Sequence, residues 1–275
     1  SWTDHDYQNP NWWWNQIGTP SAMVRVLLIM DTDLTDWQIA KALPIVGRAT
    51  LTEIPGTFYG ARESGDRVNI AGIVAKQLLF ERDSIQFNKV MKVIEGEIKF
   101  TTGRGLQYDY SFHHRDDRVN NTLSYGTNYA NVFAEWAANV AGTKYQFSQH
   151  AIQMLVDYYL DGICKMMVYG KYPDPGAENR GISRKGALKP AGPELAENLL
   201  ASTSYRKQEL EDVIRIRKNE AKANRTRDHY FWHSHYYTHQ RPNHFVSVRM
   251  HSKRAANMEQ PHNEEGLKNH HYGDG

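Results

Sequence analysis

The segment Val68–Phe80, VNIAGIVAKQLLF, decides the fold class because its apolar side chains recur at the spacing of a helix. Ile70, Ile73, Val74 and Leu78 lie three or four residues apart along the chain, which places them on one face of an α-helix. Similar patterns recur at residues 36–43, 128–140 and 149–168. Loops rich in Gly or Pro separate these segments, at residues 54–56, 101–105 and 172–176. We therefore expect stacked helical hairpins whose loops carry the function.

The pattern changes near residue 200. Residues 206–227 are highly charged and helix-like, which is typical of a surface linker. After them, residues 230–232 and 245–250 alternate with a period of two and are rich in β-forming side chains. Nine of the 13 histidines fall in residues 229–271. The sequence therefore predicts an α domain at 1–205, a linker at 206–228 and the first strands of a β domain at 229–275.

Composition excludes several classes of protein. The chain has 275 residues, of which 40% are hydrophobic and 23% charged, as in a globular protein. A net charge of +2 argues against a bulk nucleic-acid binder, and a single cysteine excludes a disulfide framework and a cysteine-rich zinc module. The longest apolar stretch, Met23–Met30, is interrupted by Arg25 and too short to cross a membrane.

The same composition favours a carbohydrate partner. The chain has 7 Trp, 16 Tyr, 9 Phe and 13 His residues, while its mean hydropathy is only −0.69. Such a mixture suits a protein that stacks on a sugar polymer and forms hydrogen bonds with it. The first ten residues have neither a basic nor an apolar region, so we expect no signal peptide in this chain and a piece of a longer protein.

The segment Asn11–Pro20 contains three consecutive tryptophans, Trp12, Trp13 and Trp14. Successive helical residues point about 100° apart, so the three rings cannot all face one core. At least one is expected at the surface or in a cleft, where a flat ring can stack on a sugar. The alternative for any single tryptophan is ordinary core packing.

The segment Asp109–Gly126 is polar but contains histidine, tyrosine and arginine just before a helix. These side chains suit proton transfer, because imidazole takes up or donates a proton and a nearby guanidinium favours tyrosinate. The alternative is a structural loop held by Asp–Arg pairs.

The segment Glu178–Arg184 has two arginines four residues apart, Arg180 and Arg184. A guanidinium binds a carboxylate or a sulfate through two parallel hydrogen bonds, so this pair suits an anion. Surface arginines are common, and the pair alone is a weak signal.

The histidine-rich segment contains the spacing His233-x-His235-x3-His239. On a strand this spacing could form a metal site, but it matches no established zinc spacing and has no carboxylate in step. We therefore do not expect a metal here.

Together these segments resemble polysaccharide lyase family 8, which includes chondroitin AC and ABC lyases, hyaluronate lyase and xanthan lyase. The resemblance lies in NWWWNQIGTP (11–20), DYSFHHR (109–115) with SYG (124–126), NRGISR (179–184), and SKRAANMEQPHNEEG (252–266) before HHYGDG (270–275). It implies a mainly α fold, part of an incomplete α/α toroid of helical hairpins, followed by the first strands of an antiparallel β-sandwich. Family members are much longer than this chain.

The resemblance also implies catalytic roles for individual residues. The catalytic tyrosine of the family falls on Tyr125, and the histidine a little upstream falls on His114 or on its neighbour His113. Arg180 matches the first arginine of the family's R-x-x-x-R loop. Glu259 matches the glutamate that reaches in from the β domain and completes the site.

Substrate-binding roles are implied in the same way. Trp12 and Trp13 match the aromatic patch that holds the sugar chain, Arg184 matches the second arginine of the loop, and Asn263 lies close behind the glutamate. His113 is the other substrate-binding candidate, if His114 is the catalytic histidine.

One position departs from the family. Its asparagine, which helps to neutralise the substrate carboxylate, falls on Asp66. An ionised aspartate would repel a uronate, so either Asp66 is protonated, Asn69 takes over the role, or the local alignment slips.

The resemblance implies β-elimination on a uronic-acid-containing glycosaminoglycan such as chondroitin sulfate, dermatan sulfate or hyaluronan. Tyr125 would act as base and then as acid, without a metal or organic cofactor; a calcium ion is not indicated. The expected partner is the anionic polysaccharide, with no nucleic acid and no membrane. We expect a monomer that is secreted or periplasmic.

Three other classes remain open from the residues alone. A non-catalytic glycan-binding module would use the same aromatic rings and arginines. An inverting glycoside hydrolase needs two opposed carboxylates, whereas Asp109, Asp116 and Asp117 crowd one loop. A histidine-cluster metalloenzyme would lose its activity on addition of a chelator.

Overall fold

The computed structural model describes residues 2–55, 60, 62–223 and 226–256, without the side chains of Trp2, Thr3, Arg180 and Ser183. The chain divides into two compact units, Ser1–Glu97 and Ile98–Gly275. The domain boundaries inferred from the sequence pattern remain a prediction. Within the described residues, no helix is both long enough and apolar enough to span a membrane.

The first unit is helical. Its α-helices are α1 (Trp2–His5), α2 (Thr19–Met30), α3 (Asp36–Val46), α4 (Ser64–Phe80) and α5 (Ser84–Gly96), and a π-helical segment, Trp14–Gly18, precedes α2. The predicted helix over residues 68–80 is confirmed as the greater part of α4. Ile70 and Ile73 are buried with Val24, Leu27 and Val46 in one apolar cluster, so the helical spacing of the sequence produces the core of this unit.

Helix α3 differs from its sequence expectation at both ends. The pattern predicts an N-cap at Asp36 and an end before Pro44. Instead Thr35 is the N-cap, with Gln38 completing a capping box, and the helix continues through Pro44 to Val46. A proline inside a helix removes one backbone hydrogen bond and its ring crowds the carbonyl four residues earlier, at a cost of about 3 kcal/mol. Burial of Ile45 and Val46 offsets that loss.

The second unit combines short strands with helices. Its first elements are β1 (Gly105–Leu106), β2 (Phe112–His113), a π-helical turn (Thr122–Gly126), α6 (Thr127–Val140) and α7 (Gln149–Asp157). Another π-helical segment (Tyr158–Ile163), a 3-10 turn (Cys164–Met166), β3 (Met167–Val168) and β4 (Tyr172–Pro173) follow. Then come α8 (Pro175–Glu178), a 3-10 turn (Asn179–Ser183), α9 (Glu194–Ser202) and α10 (Lys207–Arg217).

Helix α10 lies in the segment expected to be a linker. It packs against α9, and its Leu210, Val213 and Arg217 side chains are buried. The Arg217 guanidinium donates hydrogen bonds to the carbonyl oxygens of Gly170 at 3.1 Å and Gly192 at 2.9 Å. Although this segment is strongly charged, its few apolar residues are spaced so that they lie on one face of the helix, and that face is buried.

The last described elements form an antiparallel sheet in the order β5 (Arg227–Phe231), β6 (Tyr236–Arg241) and β7 (His244–Arg249). The register pairs Phe231 with Tyr236 and Tyr236 with Arg249. Burial alternates along β6, as expected for a sheet with one covered face. The expected change from helices to antiparallel strands is confirmed, and β6 is a strand that the pattern did not single out.

Candidate active site

A π-helical turn, Thr122–Gly126, carries Tyr125 into the start of α6. Gly126 follows the tyrosine and lies against two aromatic residues, Phe112 and Tyr158. A Cβ built on Gly126 would lie 2.9 Å from the Phe112 Cβ and would collide with the Tyr158 hydroxyl. The backbone that carries Tyr125 is therefore fixed by close packing, and π-helical turns of this kind are frequent at functional sites.

The ring of His114 stacks on the ring of Tyr125. The ring centroids are 3.5 Å apart and the planes differ by 6°. His114 is buried, with 8% of its surface exposed, whereas Tyr125 is partly exposed. The backbone of His114 is held by Arg104, whose Nε donates to the His114 carbonyl oxygen at 2.8 Å. An imidazole and a phenol in face-to-face contact can act together on one substrate, because the charge on one changes the proton affinity of the other.

His113 lies in different surroundings from His114. It is the last residue of β2, pairs with Gly105 of β1, and is 2% exposed. Its Nε2 lies 3.0 Å from the Oγ of Ser234. Burial lowers the pKa of His113 to about 3, with a further lowering by the nearby His233 and Arg118, so the ring is neutral at physiological pH. Of the two candidate histidines, His114 makes the ring contact with Tyr125; the catalytic role of either one stays a prediction.

A buried amide pair joins the tyrosine turn to the arginine segment. The Nδ2 of Asn179 donates to the Oδ1 of Asn121 at 3.0 Å, and both residues are fully buried. The Nδ2 of Asn121 in turn donates to the Val119 carbonyl oxygen at 3.1 Å. Asn179 has a φ of 51° and a ψ of −136°, a positive-φ conformation outside the left-handed helical region that strains any residue with a Cβ.

The backbone on the other side of Arg180 also meets the tyrosine turn. A Cβ built on Gly181 would lie 3.4 Å from the Ser124 Cβ and 2.8 Å from the Oε2 of Glu178. Asn179 and Gly181, which flank Arg180, therefore both lie against the turn that carries Tyr125. The backbone of Arg180 is thereby brought against the turn that carries Tyr125, and the exposed Arg184 lies just past the end of the same 3-10 turn.

Glu178 is buried in the same corner of the unit, although no pattern in the sequence points to it. It is 8% exposed, and burial raises the pKa of its carboxyl to about 7, against an opposing effect of Arg184. A lone glutamate before two arginines gives no recognisable signal in the sequence. Only the packing around it identifies it as an unusual acid.

Asp109 is buried, and both of its carboxylate oxygens accept hydrogen bonds. It is 1% exposed; its Oδ1 accepts from the Ser111 backbone N–H at 2.9 Å and hydroxyl at 2.7 Å, and its Oδ2 accepts from the His233 backbone N–H at 2.6 Å. Asp117 accepts from the Val119 N–H at 3.0 Å. These contacts are those of loop-fixing groups, which disfavours the opposed carboxylates of a glycoside hydrolase.

Four candidates for substrate binding belong to the other unit, Ser1–Glu97. Trp12 is partly buried, with the Arg62 guanidinium 4.0 Å from its ring centroid. Trp13 is 38% exposed, so at least one tryptophan of the cluster lies at the surface, as the helical spacing requires. Asp66 lies in the first turn of α4. The Nδ2 of Asn69 donates to the Gly65 carbonyl oxygen at 2.9 Å.

The remaining candidates are Glu259 and Asn263, which lie outside the described residues, so their roles stay predictions. The histidines of the possible metal spacing have separate surroundings. His239 Nδ1 lies 2.5 Å from the Oδ1 of Asp228, whereas the His233 N–H binds Asp109. Over the part of the chain that the structure describes, no group of three or more His, Cys, Asp or Glu side chains is arranged to hold a metal ion.

Comparison with known families matches almost the whole chain. Residues 2–220 match the N-terminal α-helical domain of polysaccharide lyase family 8, and residues 226–275 match the super-sandwich domain of the same family. The chain belongs to polysaccharide lyase family 8. The resemblance inferred from the four sequence segments is thereby confirmed, as is a helical domain followed by the beginning of a β-sandwich.

Individual members of family 8 agree with this assignment. Chondroitinase-AC of Pedobacter heparinus is 27% identical over 279 residues, which cover all of this chain and 39% of that protein. A structure of chondroitinase AC lyase, from a study of enzyme–oligosaccharide complexes, gives a TM-score of 0.81 at 27% identity and covers 94% of this chain and 38% of the other. This likeness supports the expected toroid and sandwich fold. The chain thus spans about two fifths of the length of these family 8 relatives.

More distant structures share the fold. Chondroitin AC lyase of Streptomyces coelicolor A3, in complex with chondroitin sulphate, gives a TM-score of 0.73 at 18% identity, over 92% of this chain and 40% of the other. Paenibacillus xanthan lyase gives 0.68 at 17% identity, over 92% and 27% of the two chains.

Proposed function

We propose that the protein is a polysaccharide lyase that cleaves a uronic-acid-containing glycosaminoglycan, chondroitin sulfate in the first place, by β-elimination. The observation that carries the proposal is the stack of His114 on Tyr125, with the backbone of Arg180 against the same turn. Membership of family 8 supports the reaction class, and the chondroitin AC relatives support the substrate.

β-Elimination must overcome the weak acidity of the C5 proton of the uronate. The neighbouring carboxylate is negatively charged, so removal of the proton concentrates further charge on the same group. Hydrogen-bond donors aimed at this charge lower the barrier, because they stabilise the intermediate more than the ground state. We assign that role to His114, assisted by Asn69 or by Asp66 in its protonated form.

Tyr125 is the proposed base. A phenol ordinarily has a pKa of about 10, so a guanidinium at hydrogen-bonding distance is needed to favour the phenolate at neutral pH. Arg180 is assigned to supply that charge, and Glu259 to orient Arg180 or His114. The C5–H bond breaks as the proton moves to the phenolate oxygen. The C4–C5 double bond then forms, the C4–O bond breaks, and the phenol returns its proton to the leaving oxygen.

The elimination as written requires no water, oxidant or metal, so we propose that the reaction needs no cofactor. Monomeric state and secretion or periplasmic location are likewise expectations from the family. Binding of a polyanion is favoured by residues 206–254, which contain 12 Lys and Arg against 5 Asp and Glu.

The decisive experiment is a lyase assay that follows the ultraviolet absorbance of the unsaturated uronate, with chondroitin sulfate, dermatan sulfate and hyaluronan as substrates. Tyr125→Phe is expected to lower kcat by at least about 10²-fold, since it removes the proton-transfer group. Tyr230→Phe, at an exposed tyrosine of β5, is the matched control and is expected to keep full activity. Near-normal elimination by Tyr125→Phe would refute the assignment. Binding without a double-bond product would indicate a glycan-binding module instead.

A further inference from the structure

We propose that the turn between β5 and β6, residues 232–235, positions the catalytic histidine loop, with Asp109 and Ser234 as the positioning residues. The inference rests on the proposed function, because it assigns to this turn a role in holding His114 against Tyr125. It gives the beginning of the β domain a part in the site that is independent of Glu259.

The first link is formed by Asp109, at the start of the loop. Its Oδ2 accepts from the His233 backbone N–H at 2.6 Å, while its Oδ1 accepts from both polar groups of Ser111. Asp109 and Ser111 are buried, at 1% and 0% exposure. One carboxylate therefore fixes the loop and the turn at the same time. Hydrogen bonds to a buried charge are stronger than those between neutral groups.

The second link is formed four residues further along the loop. The Nε2 of His113 lies 3.0 Å from the Oγ of Ser234, and the two residues are 2% and 4% exposed. Because the His113 imidazole is neutral, this contact is a hydrogen bond between neutral groups across the working pH range. The two links hold both ends of the segment 109–113 against the same turn.

These links act on His114 through the strand that precedes it. His113 pairs with Gly105 in β1 and forms a bridge with Asn120, so the strand is held on two sides. β2 ends at His113, and His114 follows it directly in a bend of the chain. The ring of His113 is directed to the β turn, and the ring of His114 stacks on Tyr125. A shift of the strand therefore moves His114 relative to the tyrosine, and misplacement by about 1 Å can cost about 10²-fold in rate.

The test uses Ser234→Ala and Asp109→Asn in the complete enzyme. Asp109→Asn preserves the shape of the side chain, but its single carbonyl oxygen can accept from the Ser111 N–H or from the His233 N–H and not from both, so the joint hold on loop and turn is lost. We expect kcat to fall about tenfold or more in each variant, with KM changed less than about threefold, because substrate contacts are retained while the catalytic geometry is lost. Ser202→Ala, which removes the hydrogen bond from Ser202 Oγ to the Leu199 carbonyl oxygen in α9, is the matched control and should leave kcat unchanged.

The partner of Ser234 gives an independent test. His113→Gln retains a polar end group for Ser234 and should keep more of the kcat than His113→Leu. In the His113→Leu background, Ser234→Ala should cause little further loss, because the link is already broken. If Ser234→Ala lowered kcat as much in the His113→Leu background as in the wild type, the proposed contact between His113 and Ser234 would be contradicted.

Hydrogen exchange separates this inference from the proposed function. The amides of residues 112–121 should exchange faster in Ser234→Ala and Asp109→Asn than in the wild-type protein, measured well below the melting temperature. A lower melting temperature with unchanged kcat and unchanged exchange in this segment would overturn the positioning role. If the wild-type protein shows no elimination, the proposed function fails, while the exchange experiment still decides whether the turn holds the loop.

Discussion

Glu178→Gln is predicted to stabilise the protein in a manner that depends on pH. Burial raises the pKa of this carboxyl from its ordinary 4.5 to about 7, in spite of the positive charge of Arg184. In the unfolded chain the carboxyl ionises near its ordinary pKa, whereas the folded protein must hold the proton or accept a buried charge. The contribution of Glu178 to the free energy of unfolding is therefore most favourable below about pH 4.5. It falls as the pH rises to about 7 and is constant above that pH.

The size of the effect follows from the rise in pKa. Each tenfold change in proton affinity corresponds to about 1.4 kcal/mol, so wild-type protein loses about 3 kcal/mol of unfolding free energy across this range. A glutamine has nearly the same shape and does not ionise. At pH 8.5 Glu178→Gln should therefore unfold with a free energy about 2–3 kcal/mol higher than the wild type. At pH 5 most of this difference should disappear.

The assay is urea unfolding of the wild type and the variant at the two pH values. Glu81→Gln, at an exposed glutamate that follows α4, is the matched control. Its free energy of unfolding should differ from that of the wild type by the same small amount at both pH values. An equal effect of Glu178→Gln at pH 5 and at pH 8.5, or destabilisation at pH 8.5, would refute the inference that burial raises the pKa of this carboxyl.

Two further predictions concern the turn that carries Tyr125. Asn179→Gly keeps the positive φ but removes the hydrogen bond to Asn121, at a cost of about 1–2 kcal/mol, and Asn179→Ala should lose about 1 kcal/mol more because a Cβ strains that conformation. A higher free energy of unfolding for Asn179→Ala than for Asn179→Gly, measured in urea, would contradict this prediction. Gly126→Ala should cost about 1–3 kcal/mol, since its Cβ meets Phe112, while Gly96→Ala, with open space around it, should cause no comparable loss in the same assay.

Local pattern predicts much of this fold. The helical spacing within 68–80 and 128–140 reappears in α4 and α6, and the alternation within 245–250 reappears in β7. These elements depend on neighbours three, four or two residues away, which is information that a sequence displays directly. The pattern was less informative at α3, where burial of Ile45 and Val46 carries the helix past Pro44.

The residue types of the candidate site were also accessible from the sequence, because histidine, tyrosine and arginine occur at family spacing. The different surroundings of His113 and His114 were not. The ring of His113 lies against Ser234, which is 121 residues away along the chain. The amide pair Asn121–Asn179 likewise joins residues 58 positions apart. No local pattern encodes such contacts.

The sequence by itself determined the family, the succession of helices and then strands, and the set of side chains available for proton transfer. The tertiary structure decided which imidazole stacks on Tyr125, which backbone lies against the turn that carries it, and which carboxyl, that of Glu178, has its pKa raised by burial. The physical reason is that ring stacking, hydrogen bonding across the fold and loss of hydration depend on distances between remote residues. Those distances are fixed only when the loops pack against one another.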